Sequence, residues 1–137
     1  MKVKGITIHN TGNGRTANEI FEELKAAKKT NLCHYLVDEK EVINNFPTDT
    51  EAWHTGRGYD FGNRFTIAIE ICRSTSDEKL YMLAQDRAVN LIKSLMNKYH
   101  LTENDIYFHN DFNTTKCPHR ILEIYETKRR FIDECII

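Results

Sequence analysis

The stretch FTIAIEIC, residues 65–72, constrains this chain more than any other. It is short, β-branched and almost continuously apolar, as a strand buried on both faces is. A central strand of that kind needs neighbours on both edges and cover above and below. Inside it stands Glu70, between Ile69 and Ile71. A carboxylate there is unfavourable unless something pairs with it. A functional role would keep it in place, and so would an arginine or backbone amide partner.

The remaining segments supply the neighbours and the cover. VKGITIHN reads as a first strand, with Ile6 and Ile8 on one face and Thr7 and His9 on the other. TANEIFEELKAAKK reads as a helix capped by Thr16, with Glu19 completing a capping box and Ile20, Leu24 and Ala27 as its apolar stripe. CHYLVDEKEVINNF reads as two strands around an Asp-Glu-Lys turn. The longest helix is expected over residues 78–100, with Leu80, Leu83, Ala84, Ala88, Leu91, Leu95 and Tyr99 at helical spacing. DIYFHN is a short strand ending at His109. RILEIYETKRRFIDECI reads as one last helix, presenting Ile121, Ile124, Tyr125, Lys128, Phe131, Ile132 and Cys135 on one side. Strands interleaved with helices give an α/β fold, a central sheet flanked by helices. With 137 residues and no repeat or linker, residues 1–137 read as a single domain.

Several function classes drop out. The net charge is −1 and no basic stripe is present, which argues against nucleic acid. No apolar run is long enough to span a membrane. MKVKGITIHN lacks the apolar core of a signal peptide, so the expectation is synthesis in the cytoplasm. The four cysteines, Cys33, Cys72, Cys117 and Cys135, form no Cys-x-x-Cys pair and read as free thiols, with Cys72 and Cys135 as buried hydrophobes.

The segment FHNDFNTTKCPHR, residues 108–120, is crowded with proton-handling and ligand-capable side chains. His9 and His109 each end a strand, and Cys117 follows eight residues after His109, a span that lets a loop fold back. Two imidazoles and one thiolate suit zinc, and three protein ligands leave a position open for water, as catalytic sites do. Pro118 stiffens the chain just after Cys117. Asp111 can hold a ligand imidazole or pin its own loop, and the second is the plainer reading.

In this order, ITIHNTGN, CHYLVDEKEVI, AWHTGRG, TIAIEIC and HNDFNTTKCPHRIL, the chain resembles the zinc N-acetylmuramoyl-L-alanine amidases of the type-2 amidase family. That family includes phage and prophage endolysins, bacterial autolysins and, more distantly, peptidoglycan recognition proteins. The likeness runs over roughly residues 4–123. It implies a single catalytic domain with a mixed sheet of the amidase and peptidoglycan-recognition type, which can be the N-terminal part of a longer endolysin. It implies one zinc on His9, His109 and Cys117, with Glu70 as the active-site carboxylate. The substrate would be the amide between N-acetylmuramic acid and L-alanine in bacterial peptidoglycan. The enzyme would act as a monomer and be released from the cytoplasm to the wall.

The chain departs from the family pattern twice. Many members carry Lys-x-Cys-Pro; here Thr115 takes the lysine's place and Lys116 adjoins Cys117. A loop entering extended would turn Thr115 toward the oxyanion and Lys116 to the rim. A tyrosine used by some members is replaced by Cys33, with Tyr35 two residues on. Trp53, His54 and Asn63 are expected to face substrate, in a region that also holds Tyr59 and Arg64. His34 is expected to be a packed strand residue, His100 and His119 to flank helices, and residues 127–130 to form a solvated face. Three rivals remain: a non-catalytic peptidoglycan-binding module of the same fold, a Cys–His peptidase using Cys33 or Cys117, and a regulatory binder.

Overall fold

The computed structural model describes residues 1–136. Its strands are β1 (Gly5–Asn10), β2 (Tyr35–Val37), β3 (Val42–Asn44), β4 (Thr66–Ile71) and β5 (Ile106–Phe108). They form one mixed sheet in the order β3-β2-β4-β1-β5. β4, the apolar run, lies in the middle, parallel to β1 and β2; β5 is parallel to β1, and only β3 is antiparallel. The helices are α1 (Ala17–Ala26), α2 (Phe61–Phe65), α3 (Glu78–Tyr99), α4 (His119–Tyr125) and α5 (Lys128–Ile136).

Because side chains alternate along a strand, β4 presents two different faces. Ile67, Ile69 and Ile71 join Ile6, Ile8, Ile106 and Phe108 against α3 and α5 in the main core. Ala68 and Cys72 point the other way, into a smaller cluster with Ala17, Leu36, Ile20 and Leu24 under α1. Thr66 and Glu70 share that second face by parity, and Thr66 Oγ1 meets Thr7 Oγ1 at 2.7 Å. The capping box of α1 forms as expected between Thr16 and Glu19.

Three expectations change. The buried stripe of α3 is Tyr81, Ala84, Gln85, Ala88, Ile92 and Leu95, while Leu83 is exposed. The helix is rotated so that Tyr81 reaches Asn10, its hydroxyl accepting from Asn10 Nδ2 at 3.1 Å. The last helix is two: Glu126 adopts φ 63°, and Thr127 Oγ1 accepts from Arg130 N to start α5 afresh. This break brings Phe131, Ile132 and Cys135 onto the core while Ile124 stays at the surface. His109 lies one residue beyond β5, opening a short 3₁₀ turn over His109–Asp111.

Candidate metal centre

In the β1–β4 register His9 lies opposite Glu70, and Ile8 lies opposite Phe108 of β5. The side chains of interest therefore meet at the C-terminal ends of three adjacent parallel strands, where open α/β sheets build their sites. The ligand atoms of His9, His109 and Cys117 all lie within 4.8 Å of one another. Cys117 Sγ is 3.8 Å from His9 Nδ1, and Glu70 Oε1 is 3.8 Å from the same nitrogen.

Neighbours fix the ring protons. His54 Nε2 donates to the Gly62 carbonyl at 3.0 Å, which leaves His54 Nδ1 as an acceptor. His9 Nε2 lies 3.0 Å from that nitrogen and so carries the proton. The lone pair of His9 is thereby set on Nδ1, the atom facing Cys117 and Glu70. His109 Nε2 lies 3.2 Å from the Thr55 carbonyl and 2.9 Å from Asn113 Nδ2. Asn113 Nδ2 donates to the same carbonyl at 2.6 Å. Carbonyl and imidazole partners of this kind are what orient metal-binding histidines.

The helix that follows Cys117 is held by Asn10. Its Oδ1 accepts from Arg120 N at 2.9 Å and Ile121 N at 3.3 Å, filling the N-terminus of α4 from a strand more than a hundred residues earlier. One side chain thus ties the His9 strand to the Cys117 loop.

Burial sets the electrostatics. It lowers His9 well below the ordinary histidine value, helped by His54 and His109, and lowers His54 to about 3. Both rings stay neutral and keep their lone pairs. Burial also pushes Glu70 up to about 8, and burial together with the Glu70 charge pushes Cys117 up to about 12. Such a thiol is the opposite of an activated nucleophile. Glu70 Oε2 is buried without any hydrogen-bond partner. Neutral imidazoles beside a thiol and a carboxyl that have no cationic side chain to pair their ionised forms make a pocket that fits a divalent cation. Two nitrogens and a sulfur favour zinc among the common ions.

A cleft of about 410 Å³ opens over the cluster, lined by Trp53, Thr115, Lys116 and His119 besides His9, His109, Cys117 and Glu70. Other expected residues fall differently. His54 borders the cleft but is 8 % exposed and faces His9. Asn63 is buried; its Oδ1 accepts from His54 N and Thr55 N, and its Nδ2 donates to Gly58 O. It pins the loop carrying Trp53 and His54 instead of facing substrate. Trp53 and Tyr59 are exposed and meet edge to face, centroids 6.1 Å apart, with the Arg64 guanidinium 5.7 Å from the Tyr59 ring.

The approach to Cys117 is not extended. Cys117 N donates to Thr115 O at 2.8 Å, a tight turn centred on Lys116, and Asn113 Oδ1 receives Thr115 N. The alternation that would aim Thr115 at the oxyanion is therefore lost. Both Thr115 and Lys116 are exposed on the cleft wall, and Lys116 Nζ lies 3.9 Å from Glu123. Asp111 pins its own loop, accepting from Phe108 N, and pairs with Lys128. His34 is packed as expected but stands one residue before β2, accepting from Ala68 N and bonded to Thr50 O. Residues 128 and 129 are less free than a bare solvated face, since Arg129 also pairs with Glu103 and Asp133.

The sequence profile of the N-acetylmuramoyl-L-alanine amidase family matches residues 1–120. The chain belongs to this family. It is 38% identical over 123 residues to the N-acetylmuramoyl-L-alanine amidase CwlA of Bacillus subtilis, covering 89% of the present chain and 45% of CwlA. Endolysin 2638A of Staphylococcus phage 2638A is 27% identical over 137 residues, with 28% of its length covered. The chain thus spans less than half of these amidase-family relatives. Among solved structures, PlyL superposes with a TM-score of 0.92 at 32% identity, covering 98% of this chain and 84% of that one. The single-domain mixed sheet is therefore the fold of the amidase family. Among the described residues, no helix is long and apolar enough to cross a membrane.

Asn10, Asn113 and the Thr55 carbonyl were not singled out in the sequence. Asn113 had a usable signal, four residues after His109; the other two act through backbone or over long range.

Proposed function

We propose that the chain is a zinc-dependent peptidoglycan hydrolase that cleaves the amide between N-acetylmuramic acid and L-alanine of the stem peptide. The observation that carries this reading is the cluster of His9, His109 and Cys117 with the Glu70 carboxyl 3.8 Å from His9. One zinc per chain, held by those three residues, would supply the electrophilic pull on the amide carbonyl and acidify water at the site. In its ionised form, which a bound cation would favour, Glu70 takes the proton of water as the water oxygen adds to the carbonyl carbon. The carbon–nitrogen bond breaks, and Glu70 returns the proton to nitrogen. The products are the lactyl carboxylate and the free amine of L-alanine. His54 and the Thr55 carbonyl hold the two imidazoles at fixed angles throughout. Thr115 and Lys116, on the cleft wall, are the side chains available to donate to the oxyanion or to meet anionic wall groups. Trp53 offers a ring against which a sugar can stack.

On this reading residues 1–137 act as one catalytic domain, as a monomer, made in the cytoplasm and active on the bacterial wall. The test is metal analysis of the purified protein together with turbidity loss of susceptible walls and release of L-alanine amino groups, with and without chelator. One equivalent of zinc and chelator-sensitive amine release are expected. Binding to walls without amine release in the zinc-loaded protein would leave a binding module instead. Activity that survives chelation but not thiol alkylation would make it a cysteine peptidase.

A further inference from the structure

On the far side of Glu70 lies a second pocket of about 160 Å³. Ile20 and Leu24 of α1 and Leu36 of β2 form its walls, with Cys33 and Thr11 beside them. It contains none of the three ligand residues, yet it shares Glu70 and Leu32 with the metal cleft. Two buried polar atoms of its lining residues, Thr11 Oγ1 and Glu70 Oε2, have no partner in the chain. Oε1 of the same carboxyl is the oxygen near His9. Glu70 therefore stands between the two compartments, one oxygen toward the ligands and the other unmatched. Native interiors rarely leave such groups unpaired, and a bound molecule is one way to pair them.

We propose that this pocket receives the unbranched aliphatic side chain of the residue whose nitrogen leaves, so that the peptide side of the substrate runs over α1 and the sugar side runs toward Trp53. The inference rests on the amidase reading. To protonate the leaving nitrogen, Glu70 must come within hydrogen-bond reach of it, about 2.6–3.2 Å. The α-carbon on that nitrogen then lies beside Glu70, at the mouth of the apolar pocket. A pocket of about 160 Å³ exceeds a methyl group, since one water takes about 30 Å³ of liquid. The site therefore has room for side chains longer than that of alanine.

The test is a series of synthetic N-acetylmuramoyl dipeptides that differ only in the first residue: glycine, L-alanine, L-2-aminobutyrate, L-norvaline. With the zinc-loaded protein, kcat/KM should rise about threefold to fourfold per added carbon, as burial of each methylene predicts. Leu24→Trp, a change at a half-buried helix position, should fill the pocket and lower the norvaline-to-glycine ratio at least tenfold, with zinc content and melting temperature retained. A flat or falling series in the wild type overturns the proposal, as does a ratio that Leu24→Trp leaves alone. Methyl NMR with the free amine L-norvalyl product decides independently of turnover. Shifts at Ile20, Leu24 and Leu36 support the pocket, and shifts confined to the Trp53 side overturn it. If no member of the series is hydrolysed but those methyls shift, the amidase reading fails, while the pocket still binds the aliphatic side chain.

Discussion

The two faces of β4 are one residue apart and do different work. On one, Ile67, Ile69 and Ile71 are fully buried against α3 and α5, and the side chains the strand itself presents there are all apolar. On the other, Thr66, Ala68 and Glu70 meet Thr7, His54 and His9, with α1 covering only part of the surface. The first face carries stability, because its burial is large and fully packed. The second tolerates Glu70, whose Oε2 is buried without a partner, because the first holds the strand in place. Stability and chemistry are thus separable along one strand by odd and even position.

The strongest way to break this comparison is to remove a ligand. Cys117→Ala or His9→Ala should abolish zinc retention and reduce wall lysis to background, while the metal-free melting temperature stays near that of the metal-free wild type. A full equivalent of zinc and undiminished lysis in His9→Ala would mean that the ligand set is wrong. Next comes Glu70→Gln, which should lower turnover on the order of a hundredfold or more with zinc content intact.

The same variant sharpens the contrast through pH. In the metal-free protein Glu70 titrates near 8, raised by burial, against an ordinary value of 4.5. The unfolded chain loses that proton first, so this group withdraws stability as pH rises from about 4.5 to about 8. The melting temperature of metal-free Glu70→Gln relative to wild type should therefore climb across that window and level off above it. A constant difference would show that Glu70 is not buried as described.

On the apolar face, Ile69→Ala should destabilise by about 2–5 kcal/mol in denaturant titration. Below its melting point it should still bind zinc with near-normal affinity. A large loss of zinc affinity there would mean the faces are coupled. His54→Ala tests the orienting bond to His9 and should weaken zinc binding about 10–100-fold. The smallest effects belong to the cleft wall. With the tight turn at Lys116, Lys116→Ala should raise KM severalfold at low salt and less at high salt, as screening of a rim charge predicts. Thr115→Ala should lower kcat if its hydroxyl meets the oxyanion, and a silent variant removes it from that role.

The sequence carried the odd face clearly, and it singled out His9, His109 and Cys117, which the structure brings together. A run of β-branched residues needs a central strand, the Thr16–Glu19 box is complete within four residues, and His9 and His109 sit at strand ends. What it hid depends on tertiary or backbone geometry. His54 does border the cleft, although its ring is bonded inward to His9, while Asn63 lies in α2, buried and bonded to the His54 backbone. The turn at Lys116 is made by a backbone bond with no side-chain signature. The break at Glu126 is invisible to a helical period that continues across it. The face of α3 was misjudged because Leu80, Leu83 and Leu91 are as apolar as the buried residues, and only packing chooses Tyr81 and Ile92.

β1 pairs with β4 on one edge and β5 on the other, and Ile6 finds Ile106 a hundred residues later. During synthesis at about 5–20 residues per second, the first strand waits on the order of 5–20 s for its last neighbour. Until then one of its edges is open to any other strand in the cell. The ligand set is divided in the same way, with His9 made early and Cys117 late. A ribosome carrying an unfinished chain therefore holds the His9 half of the cluster exposed until the Cys117 loop emerges to close it.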